Sequence, residues 1–138
     1  MLGILIDQEI FEGLIKVHLP QISRKFQVIG LPTQLLSCEW FVCLFSRTFT
    51  PEVLPHVWDR YFTEGSVVQF KVGLAILSIL EKKILECEDD FGTLYKLIEL
   101  ETKAITDIKL LISTIDSIYI DEFLLRLLRN IYSKSISK

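Results

Sequence analysis

Few side chains in this chain have the type and spacing to do chemistry. Asp90-Phe91-Gly92 spells the magnesium-binding triplet of protein kinases. The glycine-rich loop, strand lysine and His-Arg-Asp loop that give the triplet meaning are absent, so Asp90 reads as a helix N-cap. His18 and His56 are the only histidines, and Cys38, Cys43 and Cys87 the only cysteines. A thiol beside an imidazole could work as nucleophile and base, but no hydrolase signature surrounds either kind of residue. Cys38 and Cys43 have no nearby histidine pair that would complete a zinc site. The cysteines read as structural thiols of a reducing compartment, not as disulfide partners. Glu86, Glu88, Asp89 and Asp90 lack the alternating ligands and central glycine of a calcium loop, which leaves a solvated connector. Trp58-Asp59 spells the dipeptide of propeller blades, yet it sits in a helical stripe without a repeat. No glycine loop is built to cradle phosphate. Read from residue spacing alone, the chain shows no catalytic residue, cofactor site or metal site.

The elements that would position such residues are helical. Ile10, Phe11, Leu14, Ile15 and Val17 make an apolar face at helical spacing, predicted to start near Asp7. Pro20 opens a second helix that Gly30 and Pro32 end. A third runs from about Thr33 to Arg47 and carries Leu36, Trp40, Phe41, Leu44 and Phe45. Leu54, Val57, Trp58, Tyr61 and Phe62 form the next stripe, closed by Glu64-Gly65, where Gly65 suits a left-handed C-cap. Ser66 and Gln69 match a capping box. The helix after them is apolar nearly all round, which predicts a central, buried helix. Three further helices are expected at about 91–101, 106–114 and 120–132, the last striped by Phe123, Leu124, Leu127, Leu128 and Ile131. Residues 133–138 read as a frayed polar tail. The expected architecture is all-α: one domain over residues 1–138, with seven or eight helices.

Composition narrows the function classes. The 138 residues are 50% hydrophobic and 24% charged, which excludes a disordered chain. With 15 basic and 18 acidic residues the net charge is −3, so nothing favours a nucleic-acid backbone. The mean hydropathy of +0.40 is high. No membrane span accounts for it: the longest charge-free run, Phe26 to Cys38, is 13 residues and contains Gly30 and Pro32. Met1 to Ile6 has no basic flank and is followed by Asp7 and Glu9, against a signal peptide.

One ordered set of motifs is more specific. It comprises an acidic-start helix from Asp7, Val17-His18-Leu19-Pro20, Trp40-Phe41 with Leu44-Phe45, Val57-Trp58-Asp59, Phe62, Glu64-Gly65, and then Phe70-Lys71-Val72 and Leu74-Ala75-Ile76-Leu77. The set resembles the C-terminal half of a TBC domain, the helical module of GTPase-activating proteins for Rab GTPases. The resemblance is clearest over residues 7–85 and fades after Leu85. It implies the C-terminal subdomain fold of that family, with Trp40, Phe45, Trp58, Asp59, Glu64 and Gly65 as its structural motif. It also implies a Rab-family GTPase as partner, vesicle trafficking, and a cytoplasmic place that is peripheral on endomembranes through the Rab.

The family's catalytic arginine and glutamine lie N-terminal to this region, in Ile-x-x-Asp-x-x-Arg and Tyr-x-Gln. Ile4 and Asp7 have the first spacing, but Ile10 stands where arginine is needed; Ile118 and Asp121 have it too, and Leu124 stands there. Tyr61, Tyr95, Tyr119 and Tyr132 are followed two residues on by Thr63, Leu97, Asp121 and Lys134, none a glutamine. The expectation is therefore a GTPase-activator half without its catalytic fingers: not an enzyme, needing no cofactor and inactive alone. It should leave bare the apolar face that a missing N-terminal half would cover, and so should self-associate. The alternative is a non-catalytic helical module that binds a GTPase or another protein through an apolar groove. Trp40, Phe45, Trp58, Phe62 and Phe70 are expected in the core. Asp59 is expected half-buried and bonded to backbone amides or a basic side chain, the other reading being a partner-binding carboxylate.

Overall fold

The computed structural model describes residues 2–136, and among them nine α-helices and no strand occur. The helices are α1 (Leu2–His18), α2 (Pro20–Ile29), α3 (Thr33–Val42), α4 (Leu54–Glu64), α5 (Val67–Ile79), α6 (Glu81–Glu86), α7 (Phe91–Lys103), α8 (Ile108–Ser117) and α9 (Glu122–Ile136). The architecture is all-α, as the periodicity predicts. The short α6, not expected as a separate helix, brings the number above the expected seven or eight.

Helix α5 is the centre. Every residue from Val67 to Leu77 except Lys71 is buried, and α1, α3, α4, α6 and α8 pack around it. It meets α1 at Gly73. A Cβ at Gly73 would stand 2.6 Å from Cζ and 2.8 Å from Cε1 of Phe11, so the glycine is where the tip of the phenyl ring meets the helix. The Phe11 ring in turn meets Phe41 at 5.3 Å and Trp40 at 6.2 Å, edge to face, and Phe41 meets Phe70 at 5.6 Å. These aromatic contacts join α1, α3 and α5 into one core.

Helix α1 starts at Leu2, not near Asp7, because Ile6 and Ile10 are buried on the same face as Phe11 and Ile15 and extend it backwards. Helix α2 begins with Pro20 at its first position and ends at Gly30, whose φ of 82° is left-handed. Helix α3 stops at Val42, five residues short of the predicted Arg47. The chain then bends through Leu44 and Phe45, two consecutive non-glycine residues at φ 47° and 63°. Such a conformation costs about 1–2 kcal/mol per residue. Three contacts hold it: Phe45 is buried, its N–H donates to the Trp40 carbonyl at 2.9 Å, and the Trp58 indole N–H donates to the Leu44 carbonyl at 2.9 Å. Tryptophan 58 is half-buried and pins a strained turn from the neighbouring helix.

The later helices follow their caps. The Asp90 carboxylate accepts from the Thr93 hydroxyl at 2.6 Å and the Thr93 amide at 2.9 Å, and these bonds hold its pKa below the ordinary aspartate value. The kinase-like triplet is thus a helix start. Asp107 caps α8 through the Leu110 amide at 3.0 Å. The expected Ser66–Gln69 capping box does not form; both side chains face other elements instead. The expected polar tail from Ser133 is helical to Ile136, and the rest of it lies outside the described residues.

Three variants test this core in urea melts. Trp58→Phe keeps a ring but leaves the Leu44 carbonyl without its donor, and should cost about 1–3 kcal/mol. Gly73→Ala should destabilise by about 1–3 kcal/mol through overpacking against Phe11. Gly13→Ala, where nothing lies within 4 Å of the added carbon, should stabilise by about 0.5–1 kcal/mol.

Candidate interaction site

The six motif residues divide into a buried group and a surface group. Trp40 and Phe45 are buried with their rings 6.0 Å apart, and Trp58 closes the turn beside them. Gly65 ends α4 with its N–H on the Tyr61 carbonyl at 2.8 Å. Its φ of 89° is positive as expected, but its ψ of −167° lies in the region only glycine uses, not the left-handed helical one. Glu64 sits between Arg60 at 3.5 Å and Lys71 at 3.8 Å, and Arg60 also reaches Asp116 at 2.9 Å. This surface chain ties α4 to α5 and α8.

Asp59 and Phe62 depart from expectation. Asp59 is exposed, and only its backbone carbonyl takes a bond, from the Thr63 hydroxyl at 2.7 Å. Phe62 is 73% exposed rather than in the core. The α4 stripe is wider than the face α5 covers: Val57 and Trp58 point inward, and positions 59 and 62 fall on the outer side. These two residues, one turn apart, make no core and lock no helix angle.

The polar clamp of the molecule was not legible in the sequence. Arg129 on α9 donates to both carboxylate oxygens of Asp7 on α1, at 3.0 and 3.1 Å, and to the Ser66 hydroxyl at 3.0 Å. Gln69 donates to the same carboxylate at 2.7 Å, and the guanidinium lies 5.5 Å from the Phe70 ring centre. A forked, bidentate pair of this kind is stronger than a neutral hydrogen bond. It fastens α9 across α1 and the start of α5. Asp7 and Arg129 are 122 residues apart, and no local pattern connects them.

Beside the clamp lies an apolar groove between α1 and α9, of about 430 Å³, lined by Leu14, Val17, Tyr119, Leu124, Leu128 and Tyr132. Val17 is 77% exposed and Tyr119 78%. The α9 stripe faces outward: Phe123 is 75% exposed, Leu124, Leu127 and Ile131 are exposed, and only Leu125 is buried. The reason is geometric. Leu125 and Arg129, four residues apart, take the side of α9 that meets the body of the protein, and this leaves the leucine-rich side free.

The other candidates bring no chemistry together. Cys38 is exposed, Cys43 and Cys87 are half-buried, and all three are free. His18 and His56 are exposed. No cluster of metal-ligating side chains occurs among the described residues. The acidic connector is partly anchored, since Lys25 of α2 donates to Asp89 at 2.7 Å and to the Cys87 carbonyl at 2.6 Å. No helix among the described residues is long and apolar enough to cross a membrane.

This fold has known counterparts. Residues 1–85 match the family model described as the Rab-GTPase-TBC domain. The chain is 36% identical over 89 residues to growth hormone-regulated TBC protein 1 of Xenopus laevis, covering 64% of this chain and 26% of that protein. It is 30% identical over 130 residues to TBC1 domain family member 2B of Mus musculus, covering 94% of this chain and 13% of that protein. The crystal structure of the Chlamydomonas flagellar RabGAP TBC domain superposes with a TM-score of 0.74 at 30% identity, over 78% of this chain and 37% of that one. The chain belongs to the Rab-GTPase-TBC domain family. It spans about a quarter or less of those two full-length relatives. The 130-residue match carries the likeness past Leu85 and into α9, beyond the point where the motifs fade.

Two outcomes are expected in thermal melts. Arg129→Ala should destabilise by about 1–3 kcal/mol, because Asp7 loses its charged partner, and Arg129→Lys should recover part of that without the fork. Asp59→Ala should stay within about 0.5 kcal/mol of the parent, as an exposed substitution away from caps and core does.

Proposed function

We propose that this chain is the C-terminal, scaffold half of a TBC domain that engages a Rab-family GTPase and does not by itself accelerate GTP hydrolysis. The observation that carries the reading is the joint match of sequence and fold to a Rab GTPase-activator domain. In such a reaction, charge spreads over the oxygens of the transferred phosphoryl group. An arginine supplied in trans stabilises that charge, and a glutamine orients the attacking water. The positions of this sequence that have the spacing of those motifs carry Ile10, Leu124, Thr63, Leu97, Asp121 and Lys134 instead. The chain's own contribution is then shape: a rigid α5 core, a pinned turn at Leu44 and Phe45, and an outer α4 face that presents Asp59 and Phe62. We assign that face to contact with the GTPase or with the N-terminal half that holds the fingers. The place of action follows the GTPase, at the cytoplasmic side of endomembranes.

A second reading has its own support. The open groove between α1 and α9 suits a helical protein ligand, so a non-catalytic interaction module remains the alternative.

A phosphate-release assay over a panel of Rab GTPases tests the first reading. The isolated chain should leave each rate within about twofold of its intrinsic value, against the 10³–10⁵ that an arginine finger supplies. A concentration-dependent acceleration that survives further purification overturns it. In a parallel binding titration, Asp59→Ala and Phe62→Ala should weaken Rab affinity while their melting temperatures stay at the parent value.

A further inference from the structure

The outer face of α9 has a pattern that a chance bare patch lacks. Phe123, Leu127 and Ile131 stand four residues apart and form one row along the helix, symmetric about Leu127. Leu124 and Tyr119 flank the row, and Val17 of α1 adjoins it across the groove. Two aromatics about three-quarters exposed and four aliphatics about half exposed or more leave roughly 600–800 Å² of apolar surface in water, taking about 150–250 Å² for a large aromatic side chain. The largest patch on a monomer is usually about 300–600 Å². About 800 Å² per partner is the size of a stable protein interface.

Charge along α9 is ordered as well. Asp121 and Glu122 stand at its start; after them the described helix carries only Arg126, Arg129 and Lys134 as charged residues. Arg129 is bound to Asp7, so the pairing preference comes from the helix dipoles, which an antiparallel pair opposes and a parallel pair aligns. The rim of the face also carries Glu9, Asp121 and Glu122, which an anionic membrane surface would repel. Helix α9 lies beyond residue 85, where the family model stops.

We propose that the occupant of this face is a second copy of the chain, in a two-fold dimer whose α9 helices pack antiparallel with Leu127 at the axis. Row meets row across the axis, Phe123 of each copy lies against Ile131 of the other, and the groove beside α1 seats the edge of the partner helix. A two-fold contact of this kind is self-complementary and closes without forming fibres. The inference does not depend on whether the chain engages a GTPase, but it competes with the half-domain reading for this face: an N-terminal half seated on α9 in a longer protein would exclude the dimer and overturn the proposal.

Sedimentation velocity of the full chain from about 1 to 100 µM, the weak end of the affinities seen for interfaces of this size, should show a monomer–dimer equilibrium. Leu127→Arg places two guanidinium groups on the axis and should weaken dimerisation at least about tenfold, with helical circular dichroism unchanged. Leu100→Arg, at an exposed leucine on α7, should not. In a Cys38→Ser background, Leu127→Cys should form a disulfide-linked dimer on mild oxidation, since a residue on the axis meets its own copy, and Leu100→Cys should not. A chain that is monomeric throughout, a dimer indifferent to Leu127→Arg, or co-sedimentation with phosphatidylserine vesicles in place of self-association would each overturn the proposal.

Discussion

A helix with no polar face must be enclosed, and the enclosure of α5 organises this molecule. Five helices pack on it, and α1 is seated by the ring of Phe11 against Gly73. A side chain at position 73 would collide with the tip of that ring and push α1 off the centre. With glycine there, Phe11 reaches Phe41 and Trp40, and the aromatic core spreads from α1 into α3. Interiors packed to this density tolerate little displacement, so the position of α1 also sets where its outer face meets α9.

The turn after α3 shows how a family motif can be structural. Leu44 and Phe45 adopt a conformation that neither side chain favours. The strain is offset by burying Phe45 among Trp40, Phe41 and Phe49, and by the indole bond from Trp58. The tryptophan of the Trp-Asp pair thus belongs to the core's support. Its neighbour Asp59 faces solvent with Phe62 and is available to a partner. Adjacent residues on one helix serve different ends because 100° of rotation separates them.

Two surfaces remain open: the α4 face with Asp59 and Phe62, and the α9 face with its row of apolar side chains. The first lies within the segment that matches the family model, and the second in the part that only the longer relative match reaches. The Asp7–Arg129 clamp fixes the second surface, since it decides which side of α9 turns inward. The two open faces lie on different helices, α4 and α9.

The sequence by itself determined the helical class, most helix limits, the burial of α5 and the family. Those follow from local rules: periodicity selects the helix, Pro20, Gly30 and Asp90 mark its ends, and an all-apolar stretch has nowhere to go but inside. Tertiary structure alone decided the rest. The capping box at Ser66 and Gln69 gave way because Arg129 and Asp7 offered stronger, charged partners. Helix α3 stopped early because the turn at Leu44 and Phe45 is paid for by contacts from distant residues. The stripes of α4 and α9 could not reveal which of their residues would be covered, since a helix wheel shows an apolar side but not how much of it a neighbour will reach. Phe62 and Phe123 were left in solvent for that reason: burial is a property of two surfaces, and the sequence of one helix specifies only its own.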